Sequence, residues 1–219
     1  MSKISLKHSG GNVVSLNSPT SAPTSADVAF KLPNQDGSAN EFLKTDGSGN
    51  LAFATATDTK WVQESIATVQ SGASYEFTGI PSTAREIMIR FDGISPSGGE
   101  NLQFILGHSG GYSTSNYVIS AGYHPNENYV LKTDSIQFHG VNTNAYTVTG
   151  KLHLWYPIHG NLWWVEGIAF PKASEGNYQH RVTGNADAGG TLSKIKMTYP
   201  SGSFDSDGNG KVQISYLSY

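Results

Sequence analysis

Apolar and polar positions alternate along most of this chain with a period of two. Ile87, Ile89 and Phe91 alternate with Met88 and Arg90, and Leu102, Phe104 and Leu106 with Gln103 and Ile105. Tyr146 and Val148 lead into Leu152 and Leu154. Trp164, Glu166, Ile168 and Phe170 alternate with Val165 and Gly167. Ile195 and Met197 are flanked by Lys194 and Lys196, and Val212, Ile214 and Tyr216 stand opposite Gln213 and Ser215. Turn clusters separate these runs at Ser95-Pro96-Ser97-Gly98-Gly99, His108-Ser109-Gly110-Gly111, Asn185-Ala186-Asp187-Ala188-Gly189-Gly190 and Ser206-Asp207-Gly208-Asn209-Gly210. Short period-two runs between Gly/Pro/Asn/Ser clusters predict an all-β fold, here an antiparallel two-sheet sandwich of jelly-roll type.

The front of the chain reads differently. Ile4, Leu6, Val13, Val14 and Leu16 flank the turn Ser9-Gly10-Gly11-Asn12, and residues 17–27, NSPTSAPTSAD, read as an extended linker. In residues 31–56, short apolar clusters are separated by the turns Asn34-Gln35-Asp36-Gly37 and Asp46-Gly47-Ser48-Gly49-Asn50. The Asp-Gly and Gly-Asn steps supply the positive-φ positions that reversals need. Leu32, Phe42, Leu43, Leu51 and Phe53 are too few to bury one another, so the segment is expected to associate with further copies or with another chain. All 4 Trp and all 11 Tyr lie at or beyond residue 61. That break divides the chain into an extended N-terminal attachment or intertwining arm, 1–57, and a β-sandwich domain, 58–219.

Composition narrows the possibilities. Of 219 residues, 37% are hydrophobic and 14% charged, with 25 Gly, which suits strands and turns over helices. A net charge of −3 points away from nucleic acid and from a membrane surface. No apolar run is long enough for a membrane-spanning helix, and the first residues lack a secretory signal core. With no cysteine there is no disulfide or thiol chemistry, which fits assembly in a reducing cytoplasm.

The string KLPNQDGSANEFLKTDGSGNLAF resembles the segment K-L-P-x-x-D-G-S-x-x-x-x-L-x-T-D-G-S-G-N-L-x-F near the front of tail-fibre and related virion proteins of tailed bacteriophages, those of marine phages and cyanophages especially. The opening MSKISLKHSGGNVVSLNSPTSAP is similar to the leader that precedes it. Residues 80–123, IPSTAREIMIRFDGISPSGGENLQFILGHSGGYSTSNYVISAGY, are similar to C-terminal domains of phage tail fibres and prophage tail proteins. Asn116-Tyr117 stands where those domains often have Gly-Tyr, and Gly122-Tyr123 follows. The end, GSFDSDGNGKVQISYLSY, resembles the family's last hairpin. The resemblance implies a homotrimeric virion protein whose arm joins other phage proteins. Its sandwich would be a host-contact or virion-surface module. It supplies no catalytic residue.

Candidate chemistry is sparse. Asp205, Asp207 and Asn209 match the first half of a calcium loop, but Tyr216 stands where the bidentate Glu belongs and Lys211 adds positive charge, so a polar turn is the better reading. The histidines show no paired-ligand spacing, although His139 and His153 could meet across strands. Carboxylates such as Glu86, Glu100, Glu127, Glu166 and Glu175 could work in pairs only if the fold brought two together. No cofactor and no enzymatic activity are expected. Trp155-Tyr156 and Trp163-Trp164 flank the turn Pro157-Ile158-His159-Gly160-Asn161, and neighbours on a strand face opposite ways. One member of each pair therefore points outward, to a subunit interface or to a sugar; Trp155 and Trp163 are the expected interface residues. Tyr112, Tyr117, Tyr123 and Tyr129, in loops rich in Ser, Gly and Asn, are the expected receptor contacts.

The reading that unites these features is a tail-fibre or spike subunit of a phage virion that presents its sandwich to a host glycan or protein. A capsid decoration protein or head fibre is the alternative, and a polysaccharide hydrolase the remaining one.

Overall fold

A computed structural model describes residues 3–17, 21, 30–55, 60–99, 101–124, 129–139, 147–156, 160–172, 178–205, 207 and 209–218. Most of the linker, Tyr146, His159, Glu100, Glu127, Glu175, the turn residues Pro157 and Ile158, and Ser206 and Gly208 lie outside them. Every regular element among the described residues is a β-strand. Two compact units result, Met1–Thr57 and Asp58–Tyr219.

The first unit holds two antiparallel hairpins. β1 (Lys3–Lys7) pairs with β2 (Val13–Asn17). β3 (Glu41–Thr45) pairs with β4 (Leu51–Thr55). The second hairpin turns where Gly47 and Gly49 take φ values of 79° and 86°. The Asp46 carboxylate closes that turn, accepting from Ser48 N at 2.8 Å, Asn50 N at 3.2 Å and the Asn50 side-chain amide at 2.5 Å. These donors, the Asn50 amide first, hold the Asp46 carboxyl below its usual range. Lys31 pairs with the same turn, donating its N–H to Gly49 O at 2.7 Å and accepting from Leu51 N at 2.9 Å. The apolar side chains stay uncovered: Leu32 is 78% exposed, and Phe42, Leu43 and Phe53 are exposed while Leu51 is half-buried.

The second unit contains β5 (Lys60–Gln63), β6 (Ala67–Thr68), β7 (Ser74–Thr78), β8 (Ala84–Ile94), β9 (Gln103–His108), β10 (Gly111–Tyr112) and β11 (Tyr117–His124). It continues with β12 (Val130–Lys132), β13 (Ile136–Gln137), β14 (Thr147–Trp155), β15 (Leu162–Lys172), β16 (Gln179–Asp187), β17 (Lys194–Thr198) and β18 (Lys211–Ser218). The broad, nine-stranded sheet runs β12-β11-β16-β15-β14-β8-β18-β5, with β6 also on β18. The narrow, five-stranded sheet runs β10-β9-β17-β7, with β13 also on β9. All strand ladders are antiparallel.

Both sheets contribute to one core, which makes the unit sandwich-like. Ile87, Ile89 and Phe91 of β8 face Phe104 and Leu106 of β9, as their alternation predicts. The ring of Phe91 lies 5.7 Å from that of Phe104 and 5.7 Å from that of Phe138, tilted on the first and edge-on to the second, the geometries aromatic quadrupoles favour. Gly167 makes room for Phe138: a Cβ there would come within 2.8 Å of the Phe138 ring and 2.7 Å of Val182. Gly150 sits beside an irregularity in the β14–β8 ladder, where a Cβ would come within 2.7 Å of the Phe91 ring.

Candidate functional site

The solvent face of the broad sheet carries an ordered set of side chains, set row by row by the ladder registers. One row crosses the sheet as Trp61, Leu217, Glu86, Trp155, Trp164, Asn185 and Val118. The next holds Met88, His153, Glu166, Thr183 and Ser120. The third runs Gln213, Arg90, Lys151, Ile168 and Arg181. Along β14 the face therefore reads Trp155, His153, Lys151 at every second residue.

His153 joins the first two rows. Its ring centroid lies 3.8 Å from that of Trp155 and 6.3 Å from that of Trp61, and its Nε2 is 3.3 Å from Glu86 Oε2. Burial against these rings lowers the imidazole below its ordinary pKa, and the Glu86 contact opposes that only in part. Trp164 is 57% exposed, while Trp155 is half-buried.

Three depressions lie along this face. The first, about 460 Å³, is bounded by Ser120, Tyr129, Lys151, His153, Glu166 and Arg181. A second, about 700 Å³, continues across the sheet through Lys151 and Ile168 to Arg90, Phe170 and Gln213. A third, about 170 Å³, shares Tyr129 and Arg181 with the first and extends to Tyr123 and Gln179. Shared walls make them one interrupted groove along the third row.

Of the tyrosines expected at a receptor surface, Tyr129 stands at the groove rim, 61% exposed. Tyr123 lines its end, stacked on His180 at 5.5 Å. Tyr112 lies apart, on the narrow sheet, where Lys194 Nζ and Lys196 Nζ sit 4.6 Å and 4.4 Å from its ring centroid. The reading of Tyr117 needs correction. It is 1% exposed, and its hydroxyl accepts from Leu106 N at 2.9 Å and donates to Ser113 O at 3.1 Å. Its place on β11 opposite buried Ala186 directs it into the core.

Trp163 also needs correction. It is 3% exposed, packed edge-on against Tyr156 at 5.2 Å, and its neighbour Trp164 is the outward member. Glu166 determines this parity, because a carboxylate on β15 must face water and Trp164 shares its face. Trp155 does lie on the outer face. The proposed meeting of His139 and His153 does not occur: His139 lies with Tyr123 and His180, and its carbonyl accepts from His180 Nδ1 at 2.6 Å. Asp205 Oδ1 accepts from Asp207 N at 3.1 Å within the turn, and Asn209 Oδ1 accepts from Gln70 Nε2 at 2.6 Å, which ties the turn to the segment after β6. No group of metal-binding side chains gathers among the described residues.

The outward cations Arg90, Lys151 and Arg181, and the outward Trp61, are what the sequence reading missed. Their alternation within each strand is visible in the sequence; their lateral alignment is a matter of register between distant strands.

The chain matches no family model, no curated protein and no solved structure.

Proposed function

We propose that this chain is a surface protein of a tailed-phage virion, a tail-fibre or spike subunit. In this reading residues 1–57 attach it to the particle and the body, jelly-roll-like and assembled as a trimer, binds the host surface. One observation carries the binding role: Trp61, Trp155 and Trp164 share a single outward row beside a groove, with Trp61 and Trp164 exposed. Exposed aromatic rings offer flat apolar area at low conformational cost, which suits stacking on sugar rings. The uncovered Leu32, Phe42, Leu43 and Phe53 support association of the first unit with further copies or with a virion partner. Modest single-site affinity would be multiplied across the copies of a fibre.

Two measurements test this. Labelling the chain on intact particles should decorate the tail; label spread over the head would move the protein to the capsid-decoration class. Purified full-length chain should bind host cells, and Trp155→Ala with Trp164→Ala should reduce that binding with the fold intact. Unchanged binding would remove this face from the host contact.

A further inference from the structure

We infer that the groove along Arg90, Lys151, Ile168 and Arg181 is a binding site for an acidic polysaccharide, with the anionic groups of successive sugars held by the three cations. This rests on the reading of the second unit as a surface-binding module and adds the chemical class of its ligand.

The cations are the first ground. Arg90 of β8 and Lys151 of β14 are directly opposed in the ladder, and Arg181 of β16 lies in the same row two strands further on. Like charges directly opposite each other in a sheet destabilise it. Neither Arg90 nor Lys151 has an ion-pair partner among the described residues. Arg181 Nε donates to Gln179 Oε1 at 3.0 Å, and its terminal nitrogens make no hydrogen bond among the described residues. Carboxylates lie near this row without pairing to it, and cations opposed across a ladder and free of direct ion pairs are complementary to an anion supplied from outside.

The second ground is the shape of the groove. The depressions on either side of Lys151 and Ile168 continue into each other, from Gln213 on β18 to Arg181 on β16. Four strand spacings of ~4.8 Å give this row a reach of about 19 Å, an extended site rather than a pocket for one ion.

The third ground selects a sugar over a nucleic acid. Glu166 lies diagonal to both Lys151 and Arg181, and Asp92 follows Arg90 on the same face of β8. A carboxylate among the cations accepts hydrogen bonds from the hydroxyls that separate the anionic groups of a polysaccharide, donors that a DNA phosphate backbone does not offer. Tyr129 at the rim, with Trp155 and Trp164 along the neighbouring edge, supplies rings for the apolar faces of the sugars.

The test uses the full-length chain in affinity electrophoresis through gels containing polygalacturonate, with neutral dextran, dextran sulfate and a DNA duplex as comparison probes. Polygalacturonate should retard the protein and neutral dextran should not, and added salt should weaken the retardation. Lys151→Gln combined with Arg181→Gln should weaken retardation at least tenfold, while the melting temperature stays level or rises as charge repulsion is relieved. Retardation by dextran sulfate would extend the bound group from carboxylate to sulfate and support the site. Absent retardation by both acidic polysaccharides, retardation unchanged in the double variant, or equal retardation by DNA would overturn it. A fall in melting temperature would assign the cations to the fold and also overturn it. If host cells still bind the chain through Trp155 and Trp164 while acidic polysaccharides do not, the ligand assignment fails and the surface-binding reading stands.

Discussion

Trp155 and Trp164 are direct cross-strand partners in the β14–β15 ladder, and both point away from the core. One position earlier on β15, Trp163 is in the core. The two adjacent indoles thus meet opposite fates, and the difference is open to measurement.

Trp163→Ala should cost about 3–5 kcal/mol, because it empties a large core volume between the sheets. Trp164→Ala should cost at most about 1 kcal/mol, the scale of one cross-strand pair on a solvated face. Denaturant melts of the two variants, compared with the parent, check this. Equal losses would show that the two indoles do not differ in burial, and a larger loss for Trp164→Ala would mean that the parity of β15 is reversed.

That parity shows where the sequence was legible. Period-two runs located β8, β9, β17 and β18 and the inward faces of Ile87, Phe104, Ile195 and Val212, because burial on one face leaves an alternation in the residues themselves. β15 was harder, since Trp163, Val165 and Gly167 compete with Trp164, Ile168 and Phe170 for the core; only the charge on Glu166 breaks the tie. Tyr117 was misplaced because a Ser/Asn-rich flank resembles a loop, although it opens an eight-residue strand. The cation row could not be read at all, because Arg90, Lys151 and Arg181 come from three separate runs and only the inter-strand register aligns them.

Tyr117→Phe isolates a buried polar link. The phenol bridges Leu106 N and Ser113 O, and burial pushes it up to about 12 despite both hydrogen bonds. Removing the hydroxyl leaves a buried backbone donor on β9 without its acceptor. The expected loss is about 1–3 kcal/mol at unchanged ring packing. Hydrogen exchange at the Leu106 amide should rise with it; an unaltered rate would show that the link does not protect β9.

Gly184→Ala tests backbone geometry in the middle of β16. Gly184 has a φ of 150°, and a Cβ there would lie 2.0 Å from Val118 O on the adjacent strand. Val118 O and the Ile119 Cα, 3.0 Å away, are both backbone atoms, so relief requires the β11–β16 ladder to part. A loss of at least about 1–3 kcal/mol is expected. A melting temperature equal to the parent's would show that the ladder yields freely.

Acid should weaken the second unit through two histidines. His180 is buried, and its Nδ1 must donate to the His139 carbonyl, since a carbonyl oxygen only accepts. Burial lowers its pKa, with the carbonyl contact opposing, and burial lowers that of His153 in the same way. The unfolded chain therefore takes up protons near pH 6.5, where the folded chain still resists them. With more protons on the unfolded state, stability is full above that pH and declines as pH falls, by up to about 1.4 kcal/mol per pH unit for each such histidine. His153→Gln with His180→Gln keeps a donor at each contact and removes both titrations. Between pH 7 and pH 5 the parent's melting temperature should fall further than the double variant's. Parallel curves would show that neither imidazole resists protonation in the fold, and would remove the burial of His153 between Trp155 and Trp61 as a source of acid sensitivity.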